Sequence, residues 1–361
     1  MRIAIDVRTV KKHRAGIGTY TQLLVEALTK VCADEHFILV GAPDTAWEYL
    51  PTGSQITAHI IAGSPLTWHW QAARLAQCVD VYHSPSSLFV PLLVPQRSVL
   101  TVHDLVPFLL PEVSNAKTWW THRLFGQAVA RVRAIIADSE HTTHDLRRLF
   151  PGITTPISTI HLAPRPEFKP MVPFQEASPD PYFLAVGTLE PRKNLSRLVR
   201  AYGKALQAAP DLPRLVIVGK LGWKHANFEK LLAALALQGR VQLAGYVPDE
   251  ELLRLYQGAS AFVYPSLYEG FGLPVLEAMA CGTPVIASSS SSLPEVGGEA
   301  ALYVDPTDED ELCKRLIQMK DANLRLAKSR QGLEQARRFS WEETARKTLM
   351  VYRTVHRATT L

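Results

Sequence analysis

Residues 266–287 read Ser-Leu-Tyr-Glu-Gly-Phe-Gly-Leu-Pro-Val-Leu-Glu-Ala-Met-Ala-Cys-Gly-Thr-Pro-Val-Ile-Ala, directly after an apolar run that ends in Phe262-Val263-Tyr264. The run reads as a buried strand, which Pro265 and Ser266 end. A glycine-bracketed loop follows, Glu269-Gly270-Phe271-Gly272, and Pro274 then stands where the first residue of a helix belongs. Strand, glycine loop and helix in that order bring backbone N–H groups to a helix N-terminus. There the first-turn amides and the macrodipole both favour an anion, and Gly270, Phe271, Gly272 and Leu273 are the candidate donors. Glu269 and Glu277 fall at the edge of the same site.

Outward from this stretch the pattern repeats. Strand-like runs alternate with helical ones along the chain, which predicts an α/β fold with parallel sheets built from βαβ units. In the first half the runs are Ile3–Asp6, Phe37–Val40, Ile56–Ile61, Val79–His83, Ser98–Val102, Ala134–Ala137 and Ile157–Ile160, with helices such as Tyr20–Val31 and Lys117–Arg133 between them. A second series runs through Tyr182–Val186, Arg214–Val218, Val241–Leu243, Ala261–Val263, Pro284–Ala287 and Ala301–Val304. Between the two lies Pro-Arg-Pro-Glu-Phe-Lys-Pro and an Asp-Pro pair, a linker signature. The expected organisation is a domain over 1–165, a linker over 166–180, a second domain over 181–339, and a C-terminal helix over 340–361 returning to the first. Ser340 before Trp341-Glu342-Glu343 has the form of an N-cap with a capping box.

Composition bounds the function. At 361 residues two domains are the natural division. The net charge of +5 is spread evenly, with 16 Lys+Arg against 13 Asp+Glu in residues 1–170 and 23 against 21 in the rest. Nucleic-acid binders concentrate their positive charge, and only Lys11-Lys12-His13-Arg14 resembles such a patch, so no nucleic-acid partner is expected. Cys32, Cys78, Cys281 and Cys313 follow no metal or redox spacing, as in a reduced cytoplasmic protein. The chain opens on a strand, so no signal peptide is expected, and no apolar stretch approaches a membrane span. Any membrane contact is expected to be peripheral, on the inner face.

Each chemically promising group follows a strand. Gly16-Ile17-Gly18 comes between the first strand and the helix expected from Thr19, where bare backbone can approach a phosphate. His103-Asp104 follows Ser98–Val102, in the crevice at the carboxyl ends of the strands, where an imidazole can serve a sugar hydroxyl. Asp138-Ser139-Glu140-His141 is a poorer version of the same, with Ser139 suited to cap a helix. Gly187-Thr188 leads to Glu190-Pro191-Arg192-Lys193-Asn194, where Arg192 offers a planar fork and Lys193 a mobile point charge to a pyrophosphate. Gly245-Tyr246-Val247-Pro248 can present main chain or an aromatic face to a base, or be an ordinary turn. Glu269 and Glu277 are not placed like the paired acids of a glycosidase, because both lie on one side. Acids beside a phosphate site make sense for a ligand that also carries hydroxyls, and a nucleotide sugar carries both.

These motifs together resemble the retaining family-4 glycosyltransferases of the GT-B fold. The resemblance rests on Gly-Thr-Leu-Glu-Pro-Arg-Lys-Asn at 187–194, on Tyr264 to Val285 with its Glu-x7-Glu element, and on the early Gly-Ile-Gly. It implies two Rossmann-like domains facing across a cleft, with the donor mainly on the C-terminal one and the acceptor on the other. It implies transfer of a hexose from a nucleotide-diphosphate sugar, of UDP-glucose or GDP-mannose type, to a glycan or lipid-linked acceptor in polysaccharide or glycoconjugate biosynthesis. No metal and no cofactor are implied. Glu269 would then contact the transferred sugar and Glu277 the ribose; Arg192 and Lys193 would hold the diphosphate, with Gly16 and Gly18 near it and His103 by the sugar's reacting face. Many relatives place an arginine directly after the phosphate-strand glycine, where this chain has Thr188.

Rival readings are another GT-B enzyme, such as a phosphorylase or epimerase, and a non-catalytic sugar-nucleotide binder. Trp119-Trp120 with Arg123, Phe125, Val129, Arg131 and Arg133 is either a helix meeting a lipid carrier or an ordinary amphipathic helix with a buried aromatic pair.

Overall fold

The apolar runs form parallel strands in a computed structural model that describes residues 1–12, 16–32, 34–110, 118–171, 180–220 and 225–360. The first sheet has seven strands: β1 Arg2–Asp6, β2 His36–Gly41, β3 Ile56–Ile60, β4 Val81–Ser84, β5 Ser98–Val102, β6 Ala134–Ala137 and β7 Ile157–Thr159. The second has six: β8 Tyr182–Val186, β9 Arg214–Val218, β10 Val241–Gly245, β11 Ala261–Tyr264, β12 Val285–Ser288 and β13 Leu302–Val304. Central strands are buried along their length, as in β1 (Ile3, Ala4, Ile5) and β8 (Phe183, Leu184, Ala185). Helices covering both faces of a parallel sheet require this, and it explains why the runs are continuous rather than alternating.

The order is β3-β2-β1-β4-β5-β6-β7 in one sheet and β10-β9-β8-β11-β12-β13 in the other. Both sheets therefore grow outward in two directions from an adjacent pair, β1 with β4 (Ile3 opposite Val81) and β8 with β11 (Ala261 opposite Phe183). Loops leaving such a pair part to opposite faces and leave a crevice at the strands' carboxyl ends. Those two places hold most of the residues singled out above.

The chain divides into two units, one of Met1–Leu162 with Ser340–Leu361 and one of Ala163–Phe339. The second unit thus begins three residues before the expected linker. Arg165 and Phe168 are buried within it, and residues 172–179 lie outside the described part. The helix Trp341–Thr360 belongs to the first unit, and Ser340 Oγ accepts the Glu343 amide at 3.1 Å at its start. Tyr352 of this helix hydrogen-bonds His83 Nδ1 at 2.6 Å, and His83 Nε2 meets Thr101 Oγ1 at 2.7 Å. His83 is fully buried, and that burial drives its pKa down to about 3, so it is neutral at every ordinary pH.

Two expectations change. The helix after β1 is Gly16–Val31, so Gly16 and Gly18 form its first turn and not a loop ahead of it. Gly18 is there for space, since a Cβ would stand 2.4 Å from the Thr9 carbonyl oxygen. The helix Thr118–Arg131 turns Val129 into the core and packs Phe125 on Phe108 and Phe150 at ring distances of 5.0 and 5.4 Å. Its apolar face is thereby occupied at Phe125 and Val129, while Arg123, Arg131 and Arg133 are exposed. The side chains of Trp119 and Trp120, like His13 and Arg14, lie outside the described part. Among the described residues no helix is long and apolar enough to cross a membrane.

Tyr352→Phe strands a fully buried histidine nitrogen and is expected to cost about 1–3 kcal/mol in chemical denaturation. Met350→Ser, at a position 65% exposed on the same helix, is expected to stay within about 0.5 kcal/mol.

Candidate functional site

The crevice between β8 and β11 collects the charged residues of the second unit. After β8 the chain turns through Gly187 and a short 3-10 turn, Pro191–Lys193, which delivers Arg192 and Lys193 together. After β11 comes the loop with Glu269, and the Leu267 amide donates to the Arg192 carbonyl at 2.8 Å, tying the two loops together. Glu269 bridges both cations: Oε1 accepts from Lys193 Nζ at 2.7 Å and Oε2 from Arg192 Nη1 at 2.6 Å. Lys193 Nζ also donates to Tyr264 Oη at 2.6 Å, and Arg192 Nη2 to Glu190 Oε1 at 2.7 Å.

The group is nearly closed off, with Glu269 only 7% and Lys193 only 9% exposed. Burial pushes the Glu269 carboxyl up, but Lys193 and Arg192 outweigh it and hold the acid below its ordinary value. For Lys193 burial dominates, reinforced by Arg192, and the ammonium sits below its ordinary value despite Glu269. Gly187 makes the arrangement possible, because a Cβ there would press on the Lys193 stem at 3.2–3.3 Å. Its φ of 156° also lies where side chains are strained.

The loop 266–272 is held from behind by a feature the motif search passed over, the five serines 288–292 that follow β12. Ser288 and Ser290 donate to the Ser266 carbonyl at 2.6 and 3.2 Å. Ser292 donates to the carbonyls of Glu269 and Phe271 at 3.0 and 2.7 Å, and Ser291 Oγ accepts the Glu269 amide at 2.9 Å. An unbroken run of hydroxyls directly after a strand was the available signal. Phe271 turns inward against Phe339, so only its main chain is at hand for a ligand. Gly272 caps the helix Leu273–Ala280 with φ of 103°, where a Cβ would strike Leu293 at 2.5 Å. Pro274 is this helix's second residue, one later than expected.

Glu277 stands apart from Glu269. It is the fifth residue of that helix, a full turn in, and does not flank its N-terminus. Its Oε1 accepts Arg165 Nε at 2.7 Å, and Arg165 Nη1 reaches Asp249 at 2.7 Å while the guanidinium lies 3.8 Å over the Phe168 ring. Burial raises the Glu277 carboxyl above its ordinary value, against the pull of Arg165. Arg165 was hidden in the proline-rich stretch read as linker. Tyr246 follows β10, half exposed, with Lys220 Nζ 5.7 Å from its ring centre, whereas the Val247 side chain is buried.

In the first unit His103 leaves β5 and hydrogen-bonds Asp138, at the end of β6, through Nδ1 at 2.6 Å. The Tyr20 ring stands edge-on to it at 4.8 Å, and Tyr20 Oη meets Thr101 Oγ1 at 3.1 Å. Burial lowers the imidazole's pKa, but Asp138, by charge and hydrogen bond, and Asp104 outweigh it and raise it. Nε2 is buried and makes no hydrogen bond, though the Pro85 carbonyl lies close enough to favour the charged ring. Asp138 is thus the partner of His103, and Ser139 is a cap, accepting the Thr142 amide at 3.0 Å. Asp6 is held by Arg8, which lies over the Trp68 ring at 3.4 Å, and Lys11 pairs with Asp44 at 2.6 Å.

Two doubly wound parallel sheets in two units, one with a cationic crevice bridged by an acid, define the α/β class to which the GT-B proteins belong. A sequence profile described as "Glycosyl transferases group 1" matches residues 170–338. The chain is 34% identical over 283 residues to the O-antigen chain mannosyltransferase B of Escherichia coli, an alignment covering 76% of this chain and 74% of that protein. It superposes on a sucrose-phosphate synthase from Thermosynechococcus elongatus with a TM-score of 0.80, over 99% of this chain and 100% of that one, at 21% identity. The fold is also that of HepE from Anabaena, solved in complex with UDP-glucose, with a TM-score of 0.75 over 100% of both chains at 17% identity. The chain belongs to the group 1 glycosyl transferases and has the GT-B fold.

Asp138→Asn removes the main charge that raises the His103 pKa and leaves burial opposed by Asp104 and the Pro85 carbonyl alone, so the ring's pKa is expected to fall below that in the parent protein, read by NMR titration of the imidazole. A histidine pKa raised by folding stabilises below its unfolded value, about 6.5, and loses that contribution as pH rises through the folded value. The variant is expected to flatten this part of the stability–pH profile.

Proposed function

We propose that this glycosyltransferase moves a hexose from a nucleoside-diphosphate sugar to a glycan or lipid-linked acceptor in polysaccharide biosynthesis. The observation that carries the reading is the convergence of Arg192, Lys193 and Glu269 at the β8/β11 crevice. Two cations suit a diphosphate, and a carboxylate beside them suits the hydroxyls of the attached sugar. Mannose is the hexose proposed first, on the likeness to the E. coli mannosyltransferase, with GDP-mannose as donor and UDP-glucose as the alternative. Glu277 takes the ribose through its second oxygen, with Arg165 holding the first, and Tyr246 and Val247 border the base. His103, with its charge favoured by Asp138, donates from Nε2 to a sugar hydroxyl.

The reaction proposed is retaining. As the glycosidic bond breaks, negative charge builds on the leaving diphosphate, and Arg192, Lys193 and the amides of 270–273 are aimed at it. Preorganised stabilisation of this kind is commonly the largest catalytic contribution. The departing phosphate takes the acceptor's proton, and attack comes from the same face. We propose that no metal or other cofactor takes part, the two cations supplying the charge a divalent ion would; among the described residues no three His, Cys, Asp or Glu side chains gather as a ligand set. The site of action proposed is the cytoplasm, with the membrane's inner face available for a lipid-linked acceptor.

The test is transfer of radiolabelled sugar from GDP-mannose and from UDP-glucose to a panel of glycan and lipid-linked acceptors, with product analysis. Glu269→Ala is expected to lower transfer by at least about a hundredfold while a nucleoside diphosphate still binds. Full transfer by that variant with either donor would remove Glu269 from the site. Binding of a sugar nucleotide without turnover across the panel would favour a non-catalytic binder.

A further inference from the structure

Arg192 and Lys193 are not waiting unpaired. Glu269 spans both, and Glu190 takes the remaining side of Arg192, so two cations face two carboxylates and the group is neutral. A diphosphate approaching a neutral group gains little unless one carboxylate leaves. Glu190 is the more exposed of the two, with 31% of its side chain open against 9% for Glu269, and its carboxylate pairs with Arg192. Glu269 alone holds both cations. Its backbone is fixed by Ser291 and Ser292, so the carboxylate can turn by side-chain rotation while the loop stays in place.

We propose that Glu269 is a built-in stand-in for the diphosphate. In the ligand-free protein its carboxylate occupies the two cations that phosphate oxygens take in the complex. Arrival of the diphosphate moves Arg192 and Lys193 from carboxylate to phosphate and turns Glu269 toward the sugar hydroxyls. A complete donor supplies both partners, phosphate for the cations and hydroxyls for the released acid. A bare nucleoside diphosphate supplies only the first and leaves a buried carboxylate unpaired, which is costly. Glu269 therefore couples the two halves of the donor and weakens retention of the nucleoside diphosphate once the sugar has left. The proposal rests on the assignment of the diphosphate to Arg192 and Lys193.

Calorimetric titration of the full chain with inorganic pyrophosphate, UDP and GDP tests it. Glu269→Gln keeps the shape and removes the competing charge, so it is expected to bind these probes at least about tenfold more tightly than the parent protein, a difference within the coupling measured for close buried charge pairs. Lys193→Ala is expected to bind them at least about tenfold more weakly. Unchanged or weaker binding by Glu269→Gln, alongside the loss in Lys193→Ala, overturns the stand-in role and leaves the donor site in place. No loss in Lys193→Ala overturns the site assignment and the proposal with it. Should circular dichroism show Glu269→Gln unfolded, Glu269→Asp replaces it: a carboxylate one methylene shorter cannot span both cations, so binding is expected to tighten by a smaller factor, and no tightening overturns the role.

Discussion

The crevice between β8 and β11 is organised around one buried ionic contact, the bridge from Glu269 to Lys193 and Arg192. Neither ion is tolerable alone at that depth, and removing one partner of such a pair typically costs about 3–5 kcal/mol. The two cations hold the Glu269 carboxyl below its ordinary value against its burial, whereas burial leaves the Lys193 ammonium below its own despite the acid. It also fixes topology to function. The acid comes from the loop after β11 and the cations from the turn after β8, strands 75 residues apart that become neighbours only because the sheet reverses its growth between them (Phe183 opposite Ala261, Leu184 opposite Phe262). The glycine at the end of β8 clears the lysine's path, and the serine run behind the β11 loop hydrogen-bonds the loop's carbonyls.

The first unit has the same winding and puts different chemistry at the strand ends. There a single imidazole is oriented by Asp138 and backed by Tyr20. A second histidine, His83 on the neighbouring strand β4, is fully buried, held neutral by that burial and locked to the C-terminal helix through Tyr352. One imidazole has its pKa raised because a carboxylate faces it; the other has its pKa lowered because it is fully buried with hydroxyls for partners. The contrast separates the residue suited to a ligand from the one that braces the unit. Residue type alone does not make that distinction.

The architecture was legible because parallel strands buried on both faces leave continuous apolar runs, and all thirteen observed strands overlap a run read from the sequence. The cationic turn and the Glu269 loop were legible for the same reason: their glycines, proline and charges sit immediately after such runs. Partners distant in sequence were not. Arg165 sits among prolines that mark a linker, and only folding shows it clamped between Glu277 and Asp249. The serines 288–292 have the composition of any loop, and their work as carbonyl-binding struts depends on a segment more than twenty residues earlier. Gly16 and Gly18 were placed ahead of the helix because glycine marks a loop as readily as a helix start, and here they form its first turn, with Gly18 in close approach to Thr9. Glu277 was placed at the helix N-terminus because the helix was expected to begin at Pro274, and spacing alone does not reveal that its carboxylate belongs to a different ion cluster.

A buried cationic site carries a general difficulty that the Glu269 bridge resolves. Left open, Arg192 and Lys193 would be expensive to bury and would accept any small anion of sufficient charge. Closed by a carboxylate, the pair discriminates by demanding that an incoming ligand do more than neutralise it. Inorganic phosphate offers charge but nothing for the displaced acid. A sugar-bearing diphosphate offers charge to the cations and hydroxyls to the acid in one molecule, so displacement leaves no buried group unpaired. Selectivity then comes from the penalty imposed on partial ligands as much as from contacts made by the full one. On the stand-in role proposed for Glu269, the same penalty favours departure of the diphosphate once its sugar is gone, and one ionic contact then serves both the entry of substrate and the exit of product.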